Sequence, residues 1–382
     1  MRTERDQRVV VIGAGIGGLA AAAILAARGL AVEVVERGAV PGGKLRQVTA
    51  GGTAADGRGI DSGPTVFTMP DVLRDVFREA GDVLDARVTL RRAEVLARHA
   101  WAGGDRLDLF ADPERSAQAI GAFAGAGEAD GFRRFHARAG RILATLDEPF
   151  MRRPAPGMAA LLRDAGPRAL LGIDPFRSLW RGLDGFFGDL RLKQLFGRYS
   201  TYVGSSPFAA PATLMLIAAV EQDGVWLVEG GMIRLAKALA TLAARHGARF
   251  RYRTSVRRVV VERNRARGVL LDDGERLDAD AVLCNADISA LGGGLLGRDA
   301  AHGARAATPR QRSFSATTWS LRGRADGFPL ARHTVFFSRD YPAEFAALAA
   351  KRMPAEPTIY LCAQDRDDRG ARLDGAADGA EE

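Results

Sequence analysis

After the charged Arg8 the chain enters an unbroken β-branched run, Val9-Val10-Val11-Ile12, with no polar position to mark a solvent face. Such a run predicts a parallel strand covered on both faces. Gly13-Ala14-Gly15-Ile16-Gly17-Gly18 follows, then an alanine-rich stretch from Leu19 to Arg28. That stretch predicts a helix, with Gly29 as its stop. Ala31 to Val35 predicts a second strand, ended by Glu36. Strand, glycine turn, helix and strand are the opening of a doubly wound α/β fold. The uncharged span Val9 to Ala27, behind Arg2, Arg5 and Arg8, also has the length of a signal peptide or membrane span. Glu4 and Asp6 weaken that reading. So do the glycines, which divide the span into a β-branched and an alanine-rich part.

A second patterned block lies farther along. Glu229-Gly230-Gly231-Met232 opens a helix through about Arg245, with Leu235, Leu239 and Leu242 as its apolar face and Gly247 as its end. Arg249 to Val261 reads as extended, Asn264 to Gly268 as a hairpin turn, Val269 to Leu271 as a strand and Asp272 to Glu275 as another turn. Ala281 to Cys284 returns as a short buried strand, followed by Asn285-Ala286-Asp287. Between the blocks, Phe176 to Phe196 sets Phe176, Leu179, Trp180, Leu183, Phe186 and Phe187 among Arg177, Arg181, Arg191 and Lys193. This pattern suits a helix packing its stripe into a core, or a basic amphipathic helix resting on a bilayer. The tail from Asp365 to Glu382 has Leu373 as its only large apolar side chain, which predicts disorder.

Composition narrows the classes. The 382 residues suffice for two domains, and 47% hydrophobic residues for a core. The net charge of +8 is not gathered into a Lys/Arg stripe with interleaved aromatics, which argues against nucleic acid. Cys284 and Cys362 make no disulfide framework, and the five histidines are scattered without zinc-ligand spacing. A reducing, cytoplasmic setting fits this cysteine usage, and no metal is expected.

The glycine turn carries the first chemistry. Gly13 permits the tight turn, Gly15 lets the Ala14–Gly15 backbone approach a pyrophosphate, and Gly18 lets the helix pack close to the strand. The helix N-terminus then offers free N–H groups to the phosphates. Glu36, about twenty residues on, is placed to accept hydrogen bonds from ribose hydroxyls. It would repel a ribose 2′-phosphate, which disfavours NADP. To this point NAD and FAD remain equally open.

The next residues bring a resemblance. Arg37-Gly38-Ala39-Val40-Pro41-Gly42-Gly43-Lys44 resembles the Gly-Gly-Arg/Lys extension of the FAD-dependent amine oxidase and carotenoid desaturase superfamily. Ile60-Asp61-Ser62-Gly63-Pro64-Thr65-Val66-Phe67 is similar to the Asp-x-Gly-Pro-Thr element of bacterial carotenoid desaturases, which lies near the flavin ring. The second block resembles the second cofactor-domain segment of that superfamily, where the backbone at Val256 would meet the adenine. The resemblance therefore implies FAD, held by Gly13, Ala14, Gly15, Gly18, Glu36, Arg37, Gly42, Gly43, Lys44, Gly63, Pro64, Thr65 and Val256. It implies an α/β, doubly wound Rossmann-like FAD-binding domain at 1–95 with 225–290. An α+β substrate domain follows at 96–224 with 291–364, and then a disordered tail at 365–382.

Leu195 to Gly204, Pro207, Pro211, Gln222-Asp223-Gly224-Val225-Trp226, His333 to Phe337 and Pro357 to Asp365 point to one branch. They resemble the hydroxyneurosporene (methoxyneurosporene) dehydrogenases, the 1-hydroxycarotenoid 3,4-desaturases, within the phytoene-type desaturase family. The implied activity is FAD-dependent removal of two hydrogens from a 1-hydroxy- or methoxy-carotenoid, with a quinone or oxygen as the acceptor. Phytoene desaturation and flavin amine oxidation are the enzymatic alternatives, and an inactive chain keeping the FAD fold is the other. A lipid-soluble substrate implies a cytoplasmic protein touching the inner membrane peripherally. The cofactor carries the chemistry in this family, so no catalytic side chain is assigned. Family members also carry a C-terminal segment with a Gly-x-Gly-Thr-type motif that closes over the flavin. Nothing after Asp287 resembles it, which predicts a truncated chain and a weakened flavin end.

Overall fold

The computed structural model describes residues 7–49, 59–153, 157–304, 308 and 312–373, with the backbone alone at 158–160. It divides into two compact units, 1–91 with 226–312 and 318–322, and 92–225 with 313–317 and 323–382.

The first unit is built on a four-stranded parallel sheet. Its strands run in the order Ala281–Cys284, β1 (Arg8–Ile12), β2 (Ala31–Val35) and Arg249–Arg251. Helix α1 (Ile16–Ala27) joins β1 to β2, and Gly29 takes a left-handed φ of 89° just past its end. The β-branched run of β1 is explained by what covers each side. Val9, Val11, Val32 and Val34 pack with Leu19, Ala22 and Ala23 of α1 and with Leu235, Leu239 and Leu242 of the helix Ile233–Arg245. Val10, Ile12 and Val35 face Val259, Val269, Leu271 and Leu277 on the other side. Those residues belong to an antiparallel meander, Val256–Glu262, Arg265–Leu271 and Arg276–Asp278. The fold is α/β and Rossmann-like, with helices on one face and this small sheet on the other. Fully buried Leu19 or Leu239 reduced to alanine would cost about 2–5 kcal/mol.

The first turn of the meander differs from its sequence reading. The chain reverses at Arg263-Asn264 alone, with φ of 49° and 64°, and the next strand starts at Arg265. Two consecutive left-handed residues are the hairpin geometry that matches strand twist. Gly268 lies inside that strand at φ 145°, where an added Cβ would stand 2.0 Å from the Leu277 carbonyl oxygen. It is a glycine because the neighbouring backbone passes so close.

The second unit is α+β. Its sheet runs Ile359–Cys362, His333–Phe336, Val95–Ala100, Arg106–Phe110, with only the central pair parallel. The helices Pro113–Ala124 and Ala126–Leu146 follow, the first capped by Asp112. Phe187 stacks on Phe196 at 4.8 Å and Phe135 meets it tilted at 4.6 Å, in an aromatic core. The stretch Phe176 to Phe196 forms two short helices, Leu179–Leu183 and Leu190–Gly197. Asp189 caps the second by accepting the Arg191 N–H at 2.7 Å, and so divides the stretch. Leu179, Leu183, Phe187, Leu192 and Leu195 are buried, whereas Phe176 is 88% exposed.

Part of the segment expected to be disordered is folded. In Asp365–Leu373, Asp368 is buried and its carboxylate accepts the N–H groups of Glu94 and Val95 at 2.6 and 3.1 Å. A buried carboxylate held by backbone donors supplies the order that apolar content alone did not predict. Residues 374–382 lie outside the described residues.

Candidate functional site

The glycine turn between β1 and α1 is tight because two backbones nearly touch. Gly13 has φ 97°, and its N–H donates to the Val35 carbonyl at 2.9 Å. A Cβ on Gly18 would stand 2.1 Å from the Gly13 carbonyl oxygen, so only hydrogen fits. Gly15 precedes α1 with no side-chain cap and no acid in the first turn. The helix start is thus left with the free N–H groups and partial positive charge that suit a phosphate.

Glu36 closes the other side of this turn. Its carboxylate accepts the Ala14 N–H at 2.7 Å and the Gly38 N–H at 2.6 Å. Two N–H donors fix the carboxylate while leaving lone pairs for hydroxyl donors. The second block arrives at the same residue. The Glu36 N–H donates to the Arg251 carbonyl at 2.8 Å, and the Thr254 N–H to the Glu36 carbonyl at 3.0 Å. Tyr252, stacked on Phe250, has its phenol pushed up by burial and by the nearby Glu36 charge. Val256, half-buried, begins the strand that leaves this contact, and packs on the meander side of the sheet.

The glycine extension lies directly on the turn. The Gly42 N–H donates to the Ala14 carbonyl at 2.8 Å, and Gly42 pairs with Gly15 as an isolated bridge. A Cβ on Gly43 would come 3.2 Å from the Gly15 Cα. Gly63 is pressed on the following residue, since its Cβ would stand 1.8 Å from the Lys44 carbonyl oxygen. Asp61, buried, accepts the Met232 N–H at 2.7 Å at the head of the helix Ile233–Arg245. Arg37, Lys44 and Pro64 are exposed, and Thr65 is half-buried. Backbone contacts and the Glu36 and Asp61 carboxylates therefore join four motifs far apart in sequence: 13–18, 36–44, 61–65 and 229–232.

One residue at this place received no role from the sequence. Asn285 follows the strand Ala281–Cys284, which was expected to be buried but is only partly so, with Ala281 exposed, and the Asn285 N–H donates to the Ile12 carbonyl at 2.9 Å. Its side-chain amide lies over the turn. Nδ2 stands 3.0 Å from where a Gly15 Cβ would be, and Oδ1 2.7 Å from a Gly17 Cβ. The available signal was a polar residue directly after a short apolar strand that pairs with β1. There the chain order reverses and parallel sheets hold ligands beyond their carboxyl ends. Two residues on, Asp287 is held below the usual carboxylate range by the Ser289 N–H and hydroxyl, with help from the Arg312 and Lys44 charges.

Glycines that a Cβ would disrupt, an open helix N-terminus and a carboxylate fixed for hydroxyls fit the pyrophosphate and ribose of FAD. A depression of about 670 Å3 in the second unit is a different kind of place. Charged groups such as Glu94, Glu114, Arg115 and Arg133 line it, which suits no hydrocarbon. Among the described residues there is no His/Cys/Asp/Glu cluster able to hold a metal, and no helix long and apolar enough to cross a membrane.

Comparison with known proteins agrees with this geometry. The family model for flavin-containing amine oxidoreductases matches residues 16–313. The chain is 48% identical over 375 residues to a hydroxyneurosporene desaturase of Rubrivivax gelatinosus, covering 97% of this chain and 70% of the relative. It is 46% identical over 365 residues to that of Cereibacter sphaeroides, covering 94% and 72%. Among solved structures, an oxidoreductase from Methanosarcina mazei superposes with a TM-score of 0.53 at 20% identity, over 76% of this chain and 61% of the other. At that identity the likeness concerns the fold alone.

Proposed function

The chain belongs to the flavin-containing amine oxidoreductase family, and within it to the carotenoid desaturases; on that premise we propose that it desaturates an acyclic carotenoid carrying a 1-hydroxy or 1-methoxy group. The observation that carries the reading is the joined cofactor cradle: the Glu36 carboxylate on Ala14, with Gly42 and Gly43 laid against Gly15. Bound FAD supplies the acceptor for the two electrons and the hydrogen taken from a carbon–carbon single bond.

The chain's residues hold and place. Ala14, Gly15 and Gly18 present the backbone to the pyrophosphate, and Glu36 holds the ribose. Gly42, Gly43, Lys44 and Arg37 border the phosphates, Lys44 and Arg37 with positive charge. Val256 lies at the adenine end, and Gly63, Pro64 and Thr65 toward the flavin ring. The substrate is apolar, so the second unit's contribution is a dry, elongated surface rather than an acid–base pair. A lipid-soluble substrate also places the protein at the cytoplasmic face of a membrane, with a quinone or oxygen as final acceptor.

The test is expression in cells that accumulate defined acyclic carotenoids, with pigment analysis and the absorption spectrum of the purified protein. A pigment two hydrogens lighter, absorbing at longer wavelength, together with a flavin spectrum, is expected. Flavin-loaded protein that leaves every carotenoid unchanged would overturn the proposal.

A further inference from the structure

The second unit contains a group of polar side chains that its packing does not explain. Arg198 opens the short helix Arg198–Val203, with its guanidinium over the rings of Tyr199 and Tyr202 at 5.7 and 5.8 Å. Both phenols donate to one buried carboxylate, Glu221, Tyr199 at 2.7 Å to Oε2 and Tyr202 to Oε1. A carboxylate that receives two phenol hydrogens leaves the phenol oxygens as acceptors.

Several polar atoms near Arg198 are unpaired. Its own Nε, the Tyr341 hydroxyl, His99 Nε2 and His333 Nε2 are all buried with no hydrogen-bond partner among the described residues. His99, His333 and Tyr341 are themselves 1, 2 and 4% exposed. Burial, followed by the Arg198 charge at His99 and by the Arg332 and Arg198 charges at His333, holds both imidazoles neutral. Buried polar atoms are normally satisfied, so the unpartnered Nε of Arg198, beside the Tyr202 phenol, leaves a place for an oxygen-bearing guest. The surroundings are aromatic: Tyr341 meets Phe345 at 5.0 Å, and Trp180 meets Phe208 at 4.9 Å. This end of the group reaches the surface, since Tyr202 is 43% exposed and Arg198 is partly exposed.

We infer that Arg198 and Tyr202, braced by Glu221, form the polar end of the substrate site and take the terminal hydroxyl of the carotenoid. Arg198 donates to the hydroxyl oxygen, and the hydroxyl donates to the Tyr202 oxygen. A methoxy end keeps the first bond and loses the second. A pure hydrocarbon leaves the buried Nε of Arg198 without an acceptor, which a site built for a hydroxyl penalises strongly. The inference rests on the carotenoid reading above.

Binding is measured with the full FAD-loaded chain, by quenching of tryptophan fluorescence. The probes are a 1-hydroxylated acyclic polyene and the hydrocarbon of the same length. The wild type should prefer the hydroxylated probe about tenfold or more, the scale of a hydrogen bond to a charged group. Arg198→Gln should bring that preference close to one. Tyr202→Phe, which keeps the ring and a partly exposed position, should lower it severalfold with an unchanged melting temperature. A preference of one in the wild type, or one untouched by Tyr202→Phe and Arg198→Gln, overturns the inference while leaving the carotenoid reading intact. If neither polyene binds, the carotenoid reading falls and this inference with it.

Discussion

The carboxylate of Glu36 accepts the N–H of Ala14 at 2.7 Å across 22 residues of sequence, and this bond sets the edge of the cofactor cradle. Because the other oxygen takes the Gly38 N–H, Glu36 clamps two loops, and the proposed ribose contact would use its remaining lone pairs. Glu36→Gln would turn an amide N–H₂ toward one of those N–H donors. It should lower FAD affinity tenfold or more and cost about 1–3 kcal/mol of stability, through one buried donor left unpaired. Flavin titration and urea unfolding read both. Unchanged affinity would remove Glu36 from the ribose site.

Two glycines of the same turn separate binding from folding. Gly15 has extended backbone, and its nearest obstacle is the amide tip of Asn285, a side chain able to swing away. Gly15→Val should therefore leave the melting temperature within a few degrees and abolish FAD binding. At Gly18 the obstacle is the Gly13 carbonyl at 2.1 Å, which is backbone. Gly18→Ala should destabilise the apoprotein itself by about 1–3 kcal/mol, the scale of overpacking. Equal behaviour of the two variants in thermal melts without FAD would contradict this division.

The strands β1 and β2 were legible because each lies between two apolar layers, and a run buried on both faces needs no alternation, while Ala281–Cys284 was legible as a short apolar run although it is only partly buried. The glycine motifs were legible because close backbone approach admits no other residue. What escaped were relations carried by polar side chains to distant backbone. Asp61 on Met232, Asp368 on Glu94 and Asn285 over Gly15 have no periodicity and no fixed spacing. The single helix that Phe176–Phe196 suggested stops at Leu183 and a second is started by a cap, Asp189, a local signal weaker than the apolar stripe it interrupts.

Peripheral membrane contact has a definite candidate patch in the segment 168–190. Leu171, Phe176 and Leu190 are 67, 88 and 67% exposed, with Arg168, Arg177 and Arg181 also on the surface. The protein should float with anionic liposomes at low salt and be released at high salt, as screening weakens the arginine term. Phe176→Ser combined with Leu171→Ser should cut flotation severalfold. Recovery of the wild type wholly in the soluble fraction at low salt would count against the patch.

The two buried histidines give the stability a pH dependence whose sign is fixed. Burial, and after it the Arg198 charge, lowers His99 to about 3; burial, then Arg332 and Arg198, lowers His333 to about 3. In the unfolded chain each titrates near 6.5. Between these values the unfolded state binds protons that the folded state refuses, so stability rises with pH and is lost as pH falls below about 6.5. The slope approaches about 1.4 kcal/mol per pH unit for each histidine. From pH 7.5 to 5.0 each should cost on the order of 2 kcal/mol. Carboxylates held low by arginines, such as Asp189 by Arg191, push the same way only at lower pH, near and below the ordinary carboxylate value of 3.8. The interval from pH 6.5 to 4.5 therefore belongs largely to imidazole. Urea unfolding at pH 7.5, 6.0 and 5.0 measures it. His99→Phe, in a position already stacked on Phe337 at 6.0 Å, should remove part of the slope, and adding His333→Phe more still. A flat profile in the wild type, or one equally steep in the double variant, would mean that these imidazoles are not held neutral in the folded chain.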